Sequence, residues 1–171
     1  MINIIGDEIY TERLIMRKLT LKDLDEYYEI ARKDEVGKWL STSRGRTYEE
    51  TKRTIEYFLE HWDKKGFGTW GVINKDSGEL LGHCGLNYIG DTREVEVLYA
   101  FDPKAWGKGY GKESAKASIE YGFSKTNLER LIAVAKTDNV RSKGVIEGCG
   151  FKYIGNKEYF KLNLDCYEIL K

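Results

Sequence analysis

The chain has 171 residues, room for one domain with a sizeable core, and its 28 Lys+Arg are balanced by 28 Asp+Glu. A formal net charge of zero leaves no basic field for a nucleic-acid backbone or an anionic bilayer. No apolar run approaches the roughly 18 residues of a membrane span, and the start, Met1 to Glu8, lacks the basic-then-apolar order of a signal peptide.

In chain order, Ile9 to Leu19 reads as a strand, with Leu14-Ile-Met16 set between charged residues. Thr20-Leu-Lys-Asp23 has the form of a capping box, and Leu21, Leu24, Tyr28 and Ala31 follow at helical spacing to about Lys33. Thr47-Tyr-Glu-Glu50 is a second capping box. It precedes Ile55, Phe58, Leu59 and Trp62 at i, i+3, i+4 and i+7. After Lys65 the period becomes two. Trp70 and Val72 share a strand face, Asn74 to Gly78 is a turn by composition, and Leu80 to Tyr88 alternates, so the pair reads as a hairpin. Val95, Val97, Tyr99 and Phe101 alternate again. A helix then carries Ala115, Ile119, Gly122 and Phe123 on one face. Leu131–Ala135 reads as a strand, Asp138–Cys149 as a short helix, Phe151–Ile154 as a strand start and Phe160 to Cys166 as the last strand. Hairpins plus a helical crossover predict one mixed α/β domain over residues 1–171, with about seven strands and four helices. Cys84, Cys149 and Cys166 form no C-x-x-C pair and read as free thiols of a reducing cytoplasm.

The segment that carries chemistry lies between Tyr99 and Ser114. The only proline, Pro103, stops a strand, and Gly107, Gly109 and Gly111 occupy alternate positions before a helix begins. Glycines let the backbone turn and bring its N–H groups close to a ligand. At a helix N-terminus those groups are unpaired and the dipole is positive, so the turn suits an anion. Lys104, Lys108, Lys112 and Lys116 stand here against only Asp102 and Glu113, and a phosphate or pyrophosphate is the natural guest. The spacing G-x-G-x-G is neither the dinucleotide fingerprint G-x-G-x-x-G nor the nucleotide-triphosphate loop.

Trp106-Gly-Lys-Gly-Tyr-Gly111 resembles the pyrophosphate loop of the GNAT N-acetyltransferase superfamily. The leading tryptophan resembles the branch of ribosomal-protein N-terminal acetyltransferases. So do Thr11-Glu-Arg-Leu-Ile-Met-Arg17, Asp138-Asn-Val-Arg-Ser142 and Gly148-Cys-Gly-Phe151. The resemblance implies a mostly antiparallel sheet that splays open between the strand ending at Phe101 and the strand Leu131–Ala135, with acetyl-CoA in the opening. It implies that backbone groups of Tyr99, Ala100 and Phe101 hold the pantetheine arm. Amides of Lys108, Gly109, Tyr110, Gly111 and Lys112 would hold the pyrophosphate, and Asn139 and Ser142 would contact the pantetheine near its sulfur. Asp138-Asn139 also reads directly as a helix cap. No metal is expected.

Acetyl transfer to an amine requires a neutral amine, a polarised thioester carbonyl and an exit for the thiolate. Glu96 is the candidate base because the resemblance implies a glutamate at that place on the cleft strand; by alternation it faces away from Val95 and Val97, and a solvated strand glutamate is the rival reading. Glu94 and His83 are the alternatives. Ile146 occupies the place where many superfamily members carry a tyrosine acid. The resemblance to the ribosomal branch suggests Ser142 as the substitute, with a cap or cofactor-contact role for Ser142, and a thiolate that leaves without a dedicated acid, as the other readings. The acceptor, an amine on a small molecule or on a protein N-terminus, is expected among the first helices and later hairpins. Trp39, Tyr48, Trp62, Trp70 and Tyr88 are the large residues there, and Glu49, Glu50 and Glu56 are carboxylates that could attract a cation or simply face solvent. The rival to an enzyme is a non-catalytic acyl-CoA-binding regulatory module. Either would be a cytoplasmic monomer or homodimer.

Overall fold

The structure, a computed structural model, describes residues 2–171. Among these, nine strands form one sheet: β1 (Asn3–Ile5), β2 (Glu8–Tyr10), β3 (Leu14–Arg17), β4 (Thr69–Asn74), β5 (Leu80–Tyr88), β6 (Val95–Phe101), β7 (Arg130–Lys136), β8 (Lys152–Tyr159) and β9 (Leu162–Leu170). Their order is β1-β2-β3-β4-β5-β6-β7-β9-β8, and every pairing is antiparallel except β6 with β7. Five helices accompany the sheet: α1 (Leu24–Ala31), α2 (Asp34–Gly37), α3 (Tyr48–Lys65), α4 (Tyr110–Lys125) and α5 (Val140–Gly148). No helix among the described residues is long and apolar enough to cross a membrane.

The mixed α/β architecture is the expected one, with two more strands and one more helix than the periodicity indicated. Ile9 to Leu19 is two strands joined at Thr11–Arg13, where the Thr11 amide donates to the Leu14 carbonyl. β1 and β2 are each only three residues long, too short for alternation to register. The last strand starts at Leu162 because Phe160 and Lys161, both at positive φ, form the turn that joins it to β8.

Both capping boxes form. The Thr47 hydroxyl accepts from the Glu50 amide, and the Glu50 carboxylate accepts from the Thr47 amide. Thr20 and Asp23 exchange the same kind of bonds, though the turn they cap is 3₁₀ (Leu21–Asp23) before α1 proper begins. A cap of this kind is worth about 1 kcal/mol. The sheet buries a core on each face, beside a small third cluster of Ile89, Ile132 and Cys166. On one face β6 presents Val95, Val97 and Phe101 to a core that includes Ala115 and Ile119 of α4. On the other, Tyr27 and Ile30 of α1 and Ile55 and Phe58 of α3 pack with Leu80 of β5. Trp62, Trp70 and Tyr121 meet edge to face with centroids 5.0–6.2 Å apart, and both indoles donate to carbonyls, of Thr69 and Asp7.

One pairing decides where function can sit. β5 and β6 match over seven residues and β7 and β9 over seven more, but β6 and β7 touch at one bridge, Glu96 opposite Ile132. Beyond that bridge the sheet opens like a wedge.

Candidate active site

The wedge leads into a cavity of about 810 Å³. Leu98, Tyr99, Ala100 and Phe101 form its wall on the β6 side, and Val134, Ala135 and Lys136 its wall on the β7 side. With β5 on one flank and no strand on the other, the backbone of Leu98–Phe101 has half its hydrogen-bonding capacity free to meet an extended ligand.

At the end of β6 the Asp102 side chain accepts from the Lys104 amide and from the Lys33 ammonium, at 2.9 Å in the latter case. The Trp106 indole donates back to the Phe101 carbonyl. These bonds fix the point at which the chain leaves the strand. Gly107 and Gly109 then take φ of +73° and +82°, values costly for any side chain-bearing residue. Gly109 is the N-cap of α4 and supplies no side chain to its first turn, whose amides point outward unpaired. Gly111 departs from the expectation of a third special glycine. It is helical, and a Cβ there would meet neighbours only at 3.8 Å, an ordinary contact. The Arg13 guanidinium ties the turn down. It donates to the Lys108 carbonyl and to Glu113 of α4, and stacks 4.5 Å from the Tyr110 ring. Thr11 adds a hydroxyl bond to the same Glu113. The Thr11–Arg17 motif therefore acts as a brace for the glycine turn, a role that sequence reading missed because the partners are about a hundred residues apart.

On the face of β6 toward α5, the Tyr99 hydroxyl lies 2.8 Å from the Ser142 hydroxyl and also donates to the Ser142 carbonyl. Asn139 is buried and caps α5, accepting from the Ser142 amide. Burial pushes the Tyr99 phenol above the usual range. The Arg141 guanidinium stacks on the Trp106 ring at 3.5 Å, and both line the cavity.

On the opposite face, toward α3, stands Glu96. The ladder with β5 runs in regular register through it, so alternation holds without a bulge. Glu96 is 7% exposed and accepts one bond, from the Asn87 amide at 3.1 Å. Burial raises its carboxyl to about 7, with Asn87 opposing. Asn87 in turn accepts from the Tyr57 hydroxyl at 2.5 Å. Tyr57–Asn87–Glu96 is thus a hydrogen-bonded row from solvent to a buried acid.

The alternatives to Glu96 are otherwise engaged. Tyr159 and Arg130 hold Glu94 below the ordinary carboxylate range, in ion-paired form. His83 is fully buried, shares a proton with the Tyr27 hydroxyl at 2.7 Å, and is pushed down to about 3 by burial and by the Arg46 charge. Of the five large residues expected at the acceptor, Trp39 alone is among those lining the cavity. Trp62 and Trp70 belong to the core, Tyr88 packs beside it and against the Lys65 ammonium, and Tyr48 bonds Asp25 on the surface. Glu50 does line the cavity, but both Arg44 guanidinium nitrogens grip it and hold it down at about 2. Among the described residues no cluster of His, Cys, Asp or Glu is arranged to hold a metal ion.

A mixed sheet opened beside a glycine turn that feeds a helix places this protein among the acyl-group transferases of the GNAT type. The match is direct: the family model for the acetyltransferase (GNAT) domain covers residues 13–152, and the chain belongs to that family of acetyl-transferring enzymes. The uncharacterized N-acetyltransferase YoaA of Bacillus subtilis is 30% identical over 146 residues, 85% of this chain and 82% of that one. The crystal structure of a GNAT-family acetyltransferase from Bacillus anthracis superposes with a TM-score of 0.80 at 27% identity, over 95% of this chain and 98% of that one. RimL, the ribosomal L7/L12 alpha-N-protein acetyltransferase, solved in complex with coenzyme A, shares the fold at a TM-score of 0.79, with 15% identity over 94% and 95% of the two chains.

Proposed function

We propose that residues 1–171 act as one domain, transferring an acetyl group from acetyl-CoA to a primary amine by direct attack in a ternary complex. The observation that carries this is the opening of the sheet beyond the Glu96–Ile132 bridge into a cavity that ends at an uncapped helix N-terminus. Coenzyme A fits what is present: an extended arm needs free strand backbone, and a pyrophosphate needs unpaired amides on a turn free of side chains. Tyr99, Ala100 and Phe101 hold the arm through their backbone. The amides of Lys108, Gly109, Tyr110, Gly111 and Lys112 hold the pyrophosphate, and the CoA complex of RimL supports the assignment.

Acetyl-CoA supplies the acetyl group as an activated thioester. Glu96 is the base. Its carboxylate takes the proton that the amine must shed, and its raised affinity for that proton matches it to neutral pH. Asn87 orients the carboxylate, and Tyr57 orients Asn87. A backbone N–H near Leu98–Ala100 polarises the carbonyl. Ser142, anchored by Asn139 and Tyr99, gives its hydroxyl proton to the departing thiolate from the other face of the strand and regains one from solvent. The amine is thus deprotonated on the α3 side and the thiol protonated on the α5 side. The three buried free cysteines support a reducing, cytoplasmic setting.

The test is a coupled thiol-release assay with acetyl-CoA over N-terminal peptides, polyamines, aminoglycosides and amino acids. Release that depends on an amine, and that is lost in Glu96→Gln, is the expected result. Binding of CoA with no release on any amine would favour the regulatory module instead.

A further inference from the structure

The arginines divide in an informative way. Of nine, five hold a carboxylate within ion-pair distance: Arg13, Arg17, Arg32, Arg44 and Arg130. Four do not among the described residues, and three of those four, Arg46, Arg53 and Arg141, line the one large cavity. Arg141 lies at the coenzyme end, stacked on Trp106. Arg53 lies on α3 with Tyr57 and Phe58, and Arg46, just before that helix, lines the cavity beside His83 and Ala100. Arg53 shares a helix face with Tyr57, one turn away on α3, and Tyr57 leads through Asn87 to Glu96. Arg46 is half-buried just before α3, close enough to His83 for its charge to depress that ring.

Lys136 completes the group. Its ammonium donates to the Lys38 carbonyl and the Ser43 hydroxyl and has no carboxylate partner. The one other acid in this half, Glu50, is already neutralised by Arg44. Apart from Glu96, which the proposed chemistry commits to the amine proton, the acceptor half therefore offers its guanidinium groups no free anion of the protein's own. Such forks bind a planar oxyanion with two parallel bonds. A pocket for a polyamine or another simple cation would carry the opposite sign.

We propose that the acceptor is a small amine that also bears an oxyanion, a carboxylate or phosphonate-type group, held by Arg53 and Arg46 while aromatic side chains pack its apolar part. This specifies the substrate class of the acetyl-transfer site and rests on that assignment.

The experiment compares matched pairs in the thiol-release assay. Phenylalanine is set against phenethylamine and tyrosine against tyramine, with the phosphonate analogue of phenylalanine as a third arm. The expected kcat/KM is at least about tenfold higher for the acid partner, the effect of one charge-assisted contact. A greater rate with the phosphonate than with phenylalanine assigns the pocket to a phosphate-bearing amine, and the reverse to a carboxylate. Arg53→Gln and Arg46→Gln should each shrink the acid-to-amine preference about tenfold, through KM rather than kcat. Equal use of acid and amine, or a preference unchanged in both variants, overturns the proposal. If neither partner turns over, calorimetry with N-acetylphenylalanine and N-phenethylacetamide in the presence of CoA still decides. Acid-selective binding that weakens in Arg53→Gln supports the pocket, and unselective binding, or none, removes it. Failure of thiol release on every amine of the wider panel counts separately, against acetyl transfer itself.

Discussion

On the proposed function, the two ends of the cavity recognise their ligands by different means. At the coenzyme end the contacts come from backbone: the free edge of Leu98–Phe101, the positive-φ glycines and the first amides of α4. At the acceptor end they come from side chains gathered from distant elements, Arg46 and Arg53 around the start of α3, Asn87 on β5 and Glu96 on β6. A backbone site depends on chain conformation and tolerates side-chain change so long as the φ values survive. A side-chain site can be rewritten one residue at a time without disturbing the fold. The proposed function thus sets a fixed donor site beside an adjustable acceptor site.

That contrast can be broken experimentally. The largest effect is expected at Glu96. Glu96→Gln should lower kcat by about 10²–10⁴-fold, the usual worth of a general base, with acetyl-CoA affinity by calorimetry unchanged. A variant that bound the coenzyme poorly would show the two ends to be one coupled site. Gly109→Val should do the reverse. It forces a β-branched residue to φ +82° and brings a Cβ to 3.2 Å from the Arg13 guanidinium. A strain of about 1–3 kcal/mol then weakens acetyl-CoA binding roughly tenfold or more. Gly111→Ala, at an ordinary helical φ, should cost far less.

A smaller effect is expected of Asn87→Leu. With Glu96 as the proposed base its carboxylate form is the active one, so kcat should climb as pH rises through about 7 and level off above it. Asn87 donates to that ionised form, and its loss moves the climb to higher pH. At pH 7 the expected fall in kcat is a few-fold, as for one hydrogen bond of about 1 kcal/mol. A profile that shifts downward, or a lowered kcat with no shift, would show that Asn87 does not tune the acid. Smallest of all, Arg141→Gln removes the guanidinium stacked on Trp106 and should weaken CoA binding about two- to fivefold.

The same division governs how much could be read from the chain. The glycine turn was legible because backbone conformation leaves its mark in composition: Pro103, Gly107 and Gly109 are there for their φ values. Both capping boxes were legible for the same reason, their partners being three residues apart. Glu96 was singled out because related sequences often carry a glutamate at that place; alternation sets its face, and the regular ladder with β5 keeps that face. Asn87, Tyr57, Arg46 and Arg53 carried no such mark. Each is an unremarkable polar residue in its own element, and only the crossing of α3 over β5 and β6 brings them together. Trp70 misled for the complementary reason: size alone does not say which face a residue occupies, and it points into the core, as does Trp62, whose place on a helix face already favoured that position. The two short strands at the start escaped because three residues cannot establish a period.

The single bridge between β6 and β7 also writes a signature into the amide protons. Along β6 past Glu96, alternate N–H groups bond β5 and the others face the gap, and β7 past Ile132 is bonded on its β9 side in the same alternating way. In hydrogen–deuterium exchange the gap-facing amides of Leu98 to Phe101 should therefore exchange fast in the middle of an otherwise protected sheet. Adding acetyl-CoA should slow them, so a strand interrupted by design becomes its own reporter of occupancy, with no label attached.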